Sequence, residues 1–402
     1  MADAARQGRL ARIVEAACVC VAAVGLPGSA TAAAPKGPLV VDARTGEHGP
    51  ANRLRDGDRP ALDVTMPFVR SDATPDVAAR INAVLYVSTL RIPPPIRAGQ
   101  AVALPDDWPA DEGLGFDVLR NDDRLLSVSI TTEDCGSHCI ETTTILHFDV
   151  RTGQRVLLGD VLTVDGERQV QHDWGEAGVT AYADGLARLP PQPADANNDE
   201  DEDAPPAPPP PPIRDPIDLK EDPGGDEHRM FFESCKSGWE QMRDRPLGEN
   251  TGENFELPVE GGLSLFQPPC LAGPWRARLT SDVLPQNISL SAAQLAPLLS
   301  PYGRALLLRR PAAASTGRLL GHVLVGKLGN DTVTLVFDEF GCGATWFRER
   351  ERQPMTMSGK HCGPDVSLSS GDGISVELHR DGGRLVGTWQ DKSGAQPATF
   401  AP

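Results

Sequence analysis

Cys135 and Cys139 enclose three residues, the last of them His138, in the run TTEDCGSHCIETTTILHFDV. Two sulfurs and an imidazole at this spacing can hold a metal ion, cycle as a redox pair, or close a bridge across a hairpin tip. A zinc site needs a fourth ligand and reduced thiolates. A redox pair is ordinarily spaced by two residues in an α/β setting. A bridge needs only two strands to pin, and alternating runs flank the pair on both sides. Further along, His147 and Asp149 alternate onto one strand face, which suits a catalytic pair and equally an ordinary solvent-facing edge. His138, His147 and Asp149 are therefore the candidate binding or catalytic residues.

Other fragments imitate chemistry and fail on inspection. GHVLVGKL, Gly321 to Leu328, has phosphate-loop spacing, but Leu328 stands where a Mg²⁺-binding hydroxyl belongs and the middle reads as strand. VFDEFG, Val336 to Gly341, is similar to the aspartate segment of polysaccharide deacetylases. Such enzymes also need two histidines at helical spacing, and no two of the eight histidines lie four apart. There is no G-x-S-x-G elbow. His172 and Glu176 share a helix face as an exposed polar pair. No metal, cofactor or catalytic residue is assigned on these grounds, and the balance is against an enzyme.

Compartment follows from the N-terminus and the cysteines. Arg6, Arg9 and Arg12 precede an apolar stretch from Ile13 to Leu26, and ATAAA offers small residues near Ala32. This predicts a signal peptide over residues 1–34, a mature chain without a transmembrane segment, and a periplasmic or secreted location. Cys18 and Cys20 lie in a poor lipobox. The six remaining cysteines are even in number, as a disulfide set would be: neighbours pair as Cys135–Cys139, Cys235–Cys270 and Cys342–Cys362. The net charge is −18, and residues 190–227 hold twelve acids against two basic residues. Nucleic acid is a poor partner for such a chain.

Periodicity and punctuation set the architecture. Residues 35–60 read as an irregular lead-in. ALDVTMPFV alternates as a half-buried strand, and Thr74-Pro75 opens a helix bearing Val77, Ile81, Val84 and Leu85 that RIPPPIR ends. GFDVLRN, RLLSVSITTE, IETTTILHFDV and QRVLLGD form an antiparallel meander. A helix follows over 165–188. Residues 190–228, polyproline beside five consecutive acids, form a disordered insertion. Phe231, Cys235, Trp239 and Met242 then recur at helical spacing. NFELPVEGGLSLF is a hairpin, and Ser291 with Gln294 is a capping box for a helix ending near Leu299. From 316 to 402, short strands with Gly/Asp turns predict a small all-β meander or open barrel. The fold class is α+β, an antiparallel sheet with packed helices over 61–310, followed by that β domain.

LLSVSI, the Gly136-Ser137-His138 turn and FDVRTGQRVLLGDVL carry a resemblance to a domain of unknown function. That domain occurs in RsiV-type extracytoplasmic anti-sigma factors and as the accessory module of PdaC-type peptidoglycan deacetylases. VTMPFVRSDATPDVAARINAVL resembles its opening strand and helix; FELPVEGGLSLF and ISLSAAQLAPLLSPYG resemble its closing elements. The resemblance spans residues 60–303 and implies export, an α+β fold, and binding of peptidoglycan or a lysozyme-like protein. It transfers no catalytic residue, since the deacetylase activity belongs to another domain. The expectation is a non-catalytic cell-envelope binding protein. The rival is an envelope glycan hydrolase or deacetylase built from scattered residues.

Overall fold

The computed structural model describes residues 38–49, 54–55, 59–97, 99–135, 139–189, 226–244, 254–266, 288–310, 319–338, 342–362, 365–382 and 384–401. The expected signal peptide, residues 190–225 and Cys270 lie outside them.

The first helix, α1 (Pro75–Leu90), starts at Thr74 with proline in its first turn and ends at Arg91 in the left-handed conformation. The four apolar positions expected to face a core are buried, as are Ala78, Ala83, Tyr86, Val87 and Leu90. A helix apolar on most sides must be covered on most sides. Strand β4 (Thr65–Arg70) covers one flank and pairs with β1 (Val40–Glu47), whose register runs from Val40 opposite Arg70 to Thr45 opposite Thr65. The two-residue strands β2 (Leu54–Arg55) and β3 (Arg59–Pro60) pair with each other, and β5 (Val102–Ala103) adds to β1. Residues 40–47 of the expected irregular lead-in thus form a strand. Its Asp and Arg residues disguised it, because β1 is held by its ladder more than by buried side chains. The amide of Asn82 on α1 completes the layer: its Oδ1 accepts from Val69 N and its Nδ2 donates to Val69 O, both at 2.8 Å.

A second sheet is made of β6 (Glu112–Asn121), β7 (Leu125–Cys135) and β8 (Cys139–Asp149), all antiparallel. One face, with Leu126, Val128, Ile130, Leu146 and Phe148, joins the core around α1. The fourth strand expected at QRVLLGD does not form. Arg155 makes a single bridge to Phe148, and α2 (Leu158–Val161) takes up the apolar residues. The apolar run is too short to distinguish a strand from a buried helical turn.

Helices α3 (Val164–Arg188) and α4 (Asp226–Arg243) pack together, with Trp174 edge-on to Trp239 at 5.5 Å. Asp226–His228, assigned in sequence to the insertion, open α4. A small sheet of β9 (Asn254–Glu256), β10 (Gly262–Phe266) and β11 (Ile288–Ser291) lies in the same core. The capping box at Ser291 forms, but its helix α5 (Ala292–Leu295) is one turn, followed by α6 (Pro301–Leu307).

The final strands are β12 (Val323–Leu328), β13 (Asp331–Phe337), β14 (Ala344–Arg348), β15 (Met355–Cys362), β16 (Asp365–Ser369), β17 (Ser375–Asp381), β18 (Arg384–Asp391) and β19 (Gly394–Ala401). Each pairs with its neighbour, and β12 pairs with β19, so the meander closes into an eight-stranded barrel. Gly326, the last glycine of the phosphate-loop lookalike, stands at that seam opposite Phe400. A Cβ there would meet Thr399 O at 2.3 Å and the Phe400 ring at 2.5 Å. Trp346, Trp389, Phe337 and Phe400 fill the interior, while Val323, Val336 and Phe347 face outward into the core around α1.

Candidate functional site

Cysteine placement comes first. Cys135 and Cys139 stand directly opposite at the end of the β7–β8 ladder and are joined by a disulfide, with Cα atoms 3.9 Å apart. Cys235, buried on α4, and Cys342 are also disulfide-bonded. Cys342 lies against β15, where a Cβ on Gly359 would meet its carbonyl oxygen. Cys270 and the Cys362 side chain are outside the described residues, as is His138.

His147 and Asp149 do share a face of β8, but that face is not open to solvent. Both side chains are fully buried, because β9 and α6 cover it. Strand register sets Arg120, Ser127 and His147 in one row across β6, β7 and β8. His147 Nε2 lies 2.8 Å from the Phe255 carbonyl oxygen, which only accepts, so Nε2 carries the proton. Its Nδ1 is then the acceptor for the Ser127 hydroxyl at 2.7 Å. The ring also stacks on Phe255 at 4.5 Å. Burial pushes the imidazole down to about 4, partly opposed by the Phe255 bond. It is a neutral group at ordinary pH, pinned at both nitrogens.

Asp149 receives Arg151 Nε at 2.9 Å, Arg151 Nη2 at 2.6 Å and the Tyr302 hydroxyl at 3.0 Å. The carboxylate raises the Arg151 guanidinium above its usual range, while burial foremost and Asp149 next raise the Tyr302 hydroxyl. The Asp149 carbonyl accepts from Thr152 N and Gly153 N, closing the turn of FDVRTGQ. Gly153 has φ +74°, and a Cβ there would meet Val77 O at 2.6 Å. That turn is a joint between β8 and α1.

Arg120 holds the same covering segment. Its Nη1 donates to Leu257 O and Pro258 O, both at 3.0 Å, and Asp122 neutralises it at 2.7 Å. A cavity of about 350 Å³ remains beside the row, lined by Arg120, Ser127, Glu256 and Glu260 among others. Sequence reasoning did not single out Arg120 or Ser127. Their only signal was a polar residue at inward-facing strand positions.

The larger opening is elsewhere. A cleft of about 640 Å³ lies between the start of α1, β4, the Pro94–Ile96 stretch and the outer wall of β12–β14. Phe68, Ala83, Val323 and Phe347 form its apolar floor. Ile96 and Val325 on its rim are 67% and 36% exposed. Its arginines are already engaged: Arg70 with Asp42 at 2.5 Å, Arg80 with Thr152 O at 3.0 Å, and Arg352 with Glu349 at 3.5 Å and with Pro94 O. Asp72 and Asp76 make no ion pair or hydrogen bond among the described residues. The cleft lining carries three arginines and three acids, and Asp72 lies in the field of Arg70.

No helix among the described residues is long and apolar enough to cross a membrane. No family model matches the chain, and no curated protein matches it. Among the solved structures similar to it are two of bacterial DUF3298 family proteins. The one from Pseudomonas aeruginosa PAO1 has 14% identity and a TM-score of 0.33, over 66% of this chain and 96% of that one. The one from Bacteroides fragilis NCTC 9343 has 15% identity and a TM-score of 0.34, over 66% of this chain and 94% of that one.

Proposed function

We propose that this chain is an exported, non-catalytic binding protein of the bacterial cell envelope, and that the cleft between α1 and the barrel takes its ligand. The observation that carries this reading is the cleft's unspent chemistry. Its rim exposes Ile96 and Val325, and Asp72 and Asp76 stand exposed there at the start of α1, Asp72 in the field of Arg70. An apolar floor with exposed Asp72 and Asp76 at its edge suits a basic protein surface of the lysozyme type, and the net charge of −18 would speed that encounter. The resemblance to RsiV-type and PdaC-accessory domains supports the same class of partner. The N-terminal pattern over residues 1–34 and the Cys135–Cys139 bond support a periplasmic or secreted location.

In this reading His147 and Asp149 are structural groups, since their polar atoms hold β9, Arg151 and Tyr302 in place. The test is retention of the mature protein on immobilised lysozyme and on purified peptidoglycan. Lysozyme should retain it, and Asp72→Lys with Asp76→Lys should abolish retention while leaving the circular dichroism spectrum unchanged. Retention by peptidoglycan alone would move the ligand to the glycan. Release of soluble fragments from peptidoglycan, lost in His147→Ala, would sink the non-catalytic reading.

A further inference from the structure

The end of the β7–β8 hairpin carries more charge than a structural clip requires. Register places Glu133 opposite Glu141 and Cys135 opposite Cys139, so all four share one face. On the neighbouring ladder Glu112 stands opposite Asp134. Like charges directly opposed across an antiparallel pair are destabilising. None of these four carboxylates makes an ion pair among the described residues, and Asp134 with Asp111 adds to burial in pushing Glu112 up. Glu133 Oε1 lies 3.1 Å from Cys135 Sγ. One ligand atom from each of Glu133, Cys135 and Cys139 falls within 4.8 Å of the others.

We propose that this hairpin end is a redox-gated site for a thiophilic divalent cation of the zinc class. In the disulfide form the sulfurs are spent on each other. An external dithiol delivers two electrons and two protons, closing its own sulfurs into a disulfide, and Cys135 and Cys139 become thiols. The cation displaces both thiol protons to solvent and binds two thiolates and the Glu133 carboxylate. The fourth position is open to water or to Glu141, which lies on the same face. Two thiolates select zinc-like ions over magnesium or calcium. The cation's charge relieves the opposed carboxylates, a reason for Glu133 and Glu141 to face each other that the clip alone does not supply. Cys139 is exposed and Cys135 half-buried, within reach of a reductant.

The test uses the full chain with cobalt(II) as the probe, before and after dithiol treatment. The double variant Cys135→Ser/Cys139→Ser serves as control, because it keeps the other cysteines. Reduced wild type should bind one equivalent more than the control and develop a thiolate-to-cobalt charge-transfer band. Glu133→Gln should lose that tightly bound equivalent, and reoxidation should release it. A reduced wild type without the band, an equal band in the control, or an unchanged Glu133→Gln would each overturn the site.

Discussion

At the scale of single residues, His147 and Asp149 hold neighbouring segments in place, and such a joint has measurable consequences. His147 is held neutral, about 4 against an ordinary 6.5. Between those values the unfolded chain takes up a proton that the folded chain refuses. Its stabilising contribution is therefore complete above pH 6.5, declines as pH falls, and is gone by about pH 4. The shift is worth roughly 3 kcal/mol. His322 is lowered in the same direction by burial, with Asp160 opposing, and acts equally in a His147→Gln variant. Glutamine can still donate to Phe255 O without titrating. Urea melts of wild type and His147→Gln between pH 7 and pH 4 should converge by about that amount at the acid end; parallel curves would remove the buried histidine from the account. Alternation alone put His147 and Asp149 on one face, and that was legible. What covers the face was not, because Phe255 is 108 residues away from His147 and no local pattern announces it. The cleft was hidden for the same reason: Ile96 and Val325 meet only through the fold.

At the scale of elements, legibility tracks length and period. Helices α1 and α3 and the β7–β8 hairpin stand out because many residues repeat one rule. The five-residue strands β14 and β16 did not, since each is ordered by barrel neighbours rather than by its own pattern. The α3–α4 contact shows how an element's sequence is set by its partner. Gly178 on α3 lies under the Trp239 ring, and a Cβ there would sit 2.1 Å from Trp239 Cδ2. Gly238 on α4 has nothing within 4 Å of its would-be Cβ. Helix propensity favours alanine at both positions by about 1 kcal/mol. At Gly238 that gain should appear as a raised urea midpoint. At Gly178 overpacking of about 1–3 kcal/mol opposes it, and a ring set edge-on against Trp174 has little room to retreat. Gly238→Ala should stabilise and Gly178→Ala destabilise. Two shifts of the same sign would show that the helices are not packed in this register.

At the scale of the whole molecule, the barrel is bolted to the α+β layers by both apolar and polar contacts. Val323, Val336 and Phe347 on its outer wall belong to the core around α1. Gln154, just beyond the β8 turn, accepts from Val323 N at 2.8 Å and donates to Val323 O at 2.9 Å. That buried amide imitates a neighbouring strand, as Asn82 does at Val69. A β meander read from sequence looks self-sufficient, yet its wall buries Val323, Val336 and Phe347 against α1, so exposing it by separation is costly. The chain should therefore unfold in one transition, with tryptophan fluorescence and far-ultraviolet circular dichroism coincident in urea. Gln154→Leu leaves the Val323 N–H and C=O buried without partners, a cost of about 2–4 kcal/mol for the two groups. Phe347→Ala adds a cavity worth about 3–5 kcal/mol. Because both residues act at the junction and neither touches the barrel interior, their combination should split the transition, so that fluorescence and circular dichroism no longer coincide. Two probes that stay superimposed at a lower midpoint would mean that the barrel cannot persist without α1 against its wall.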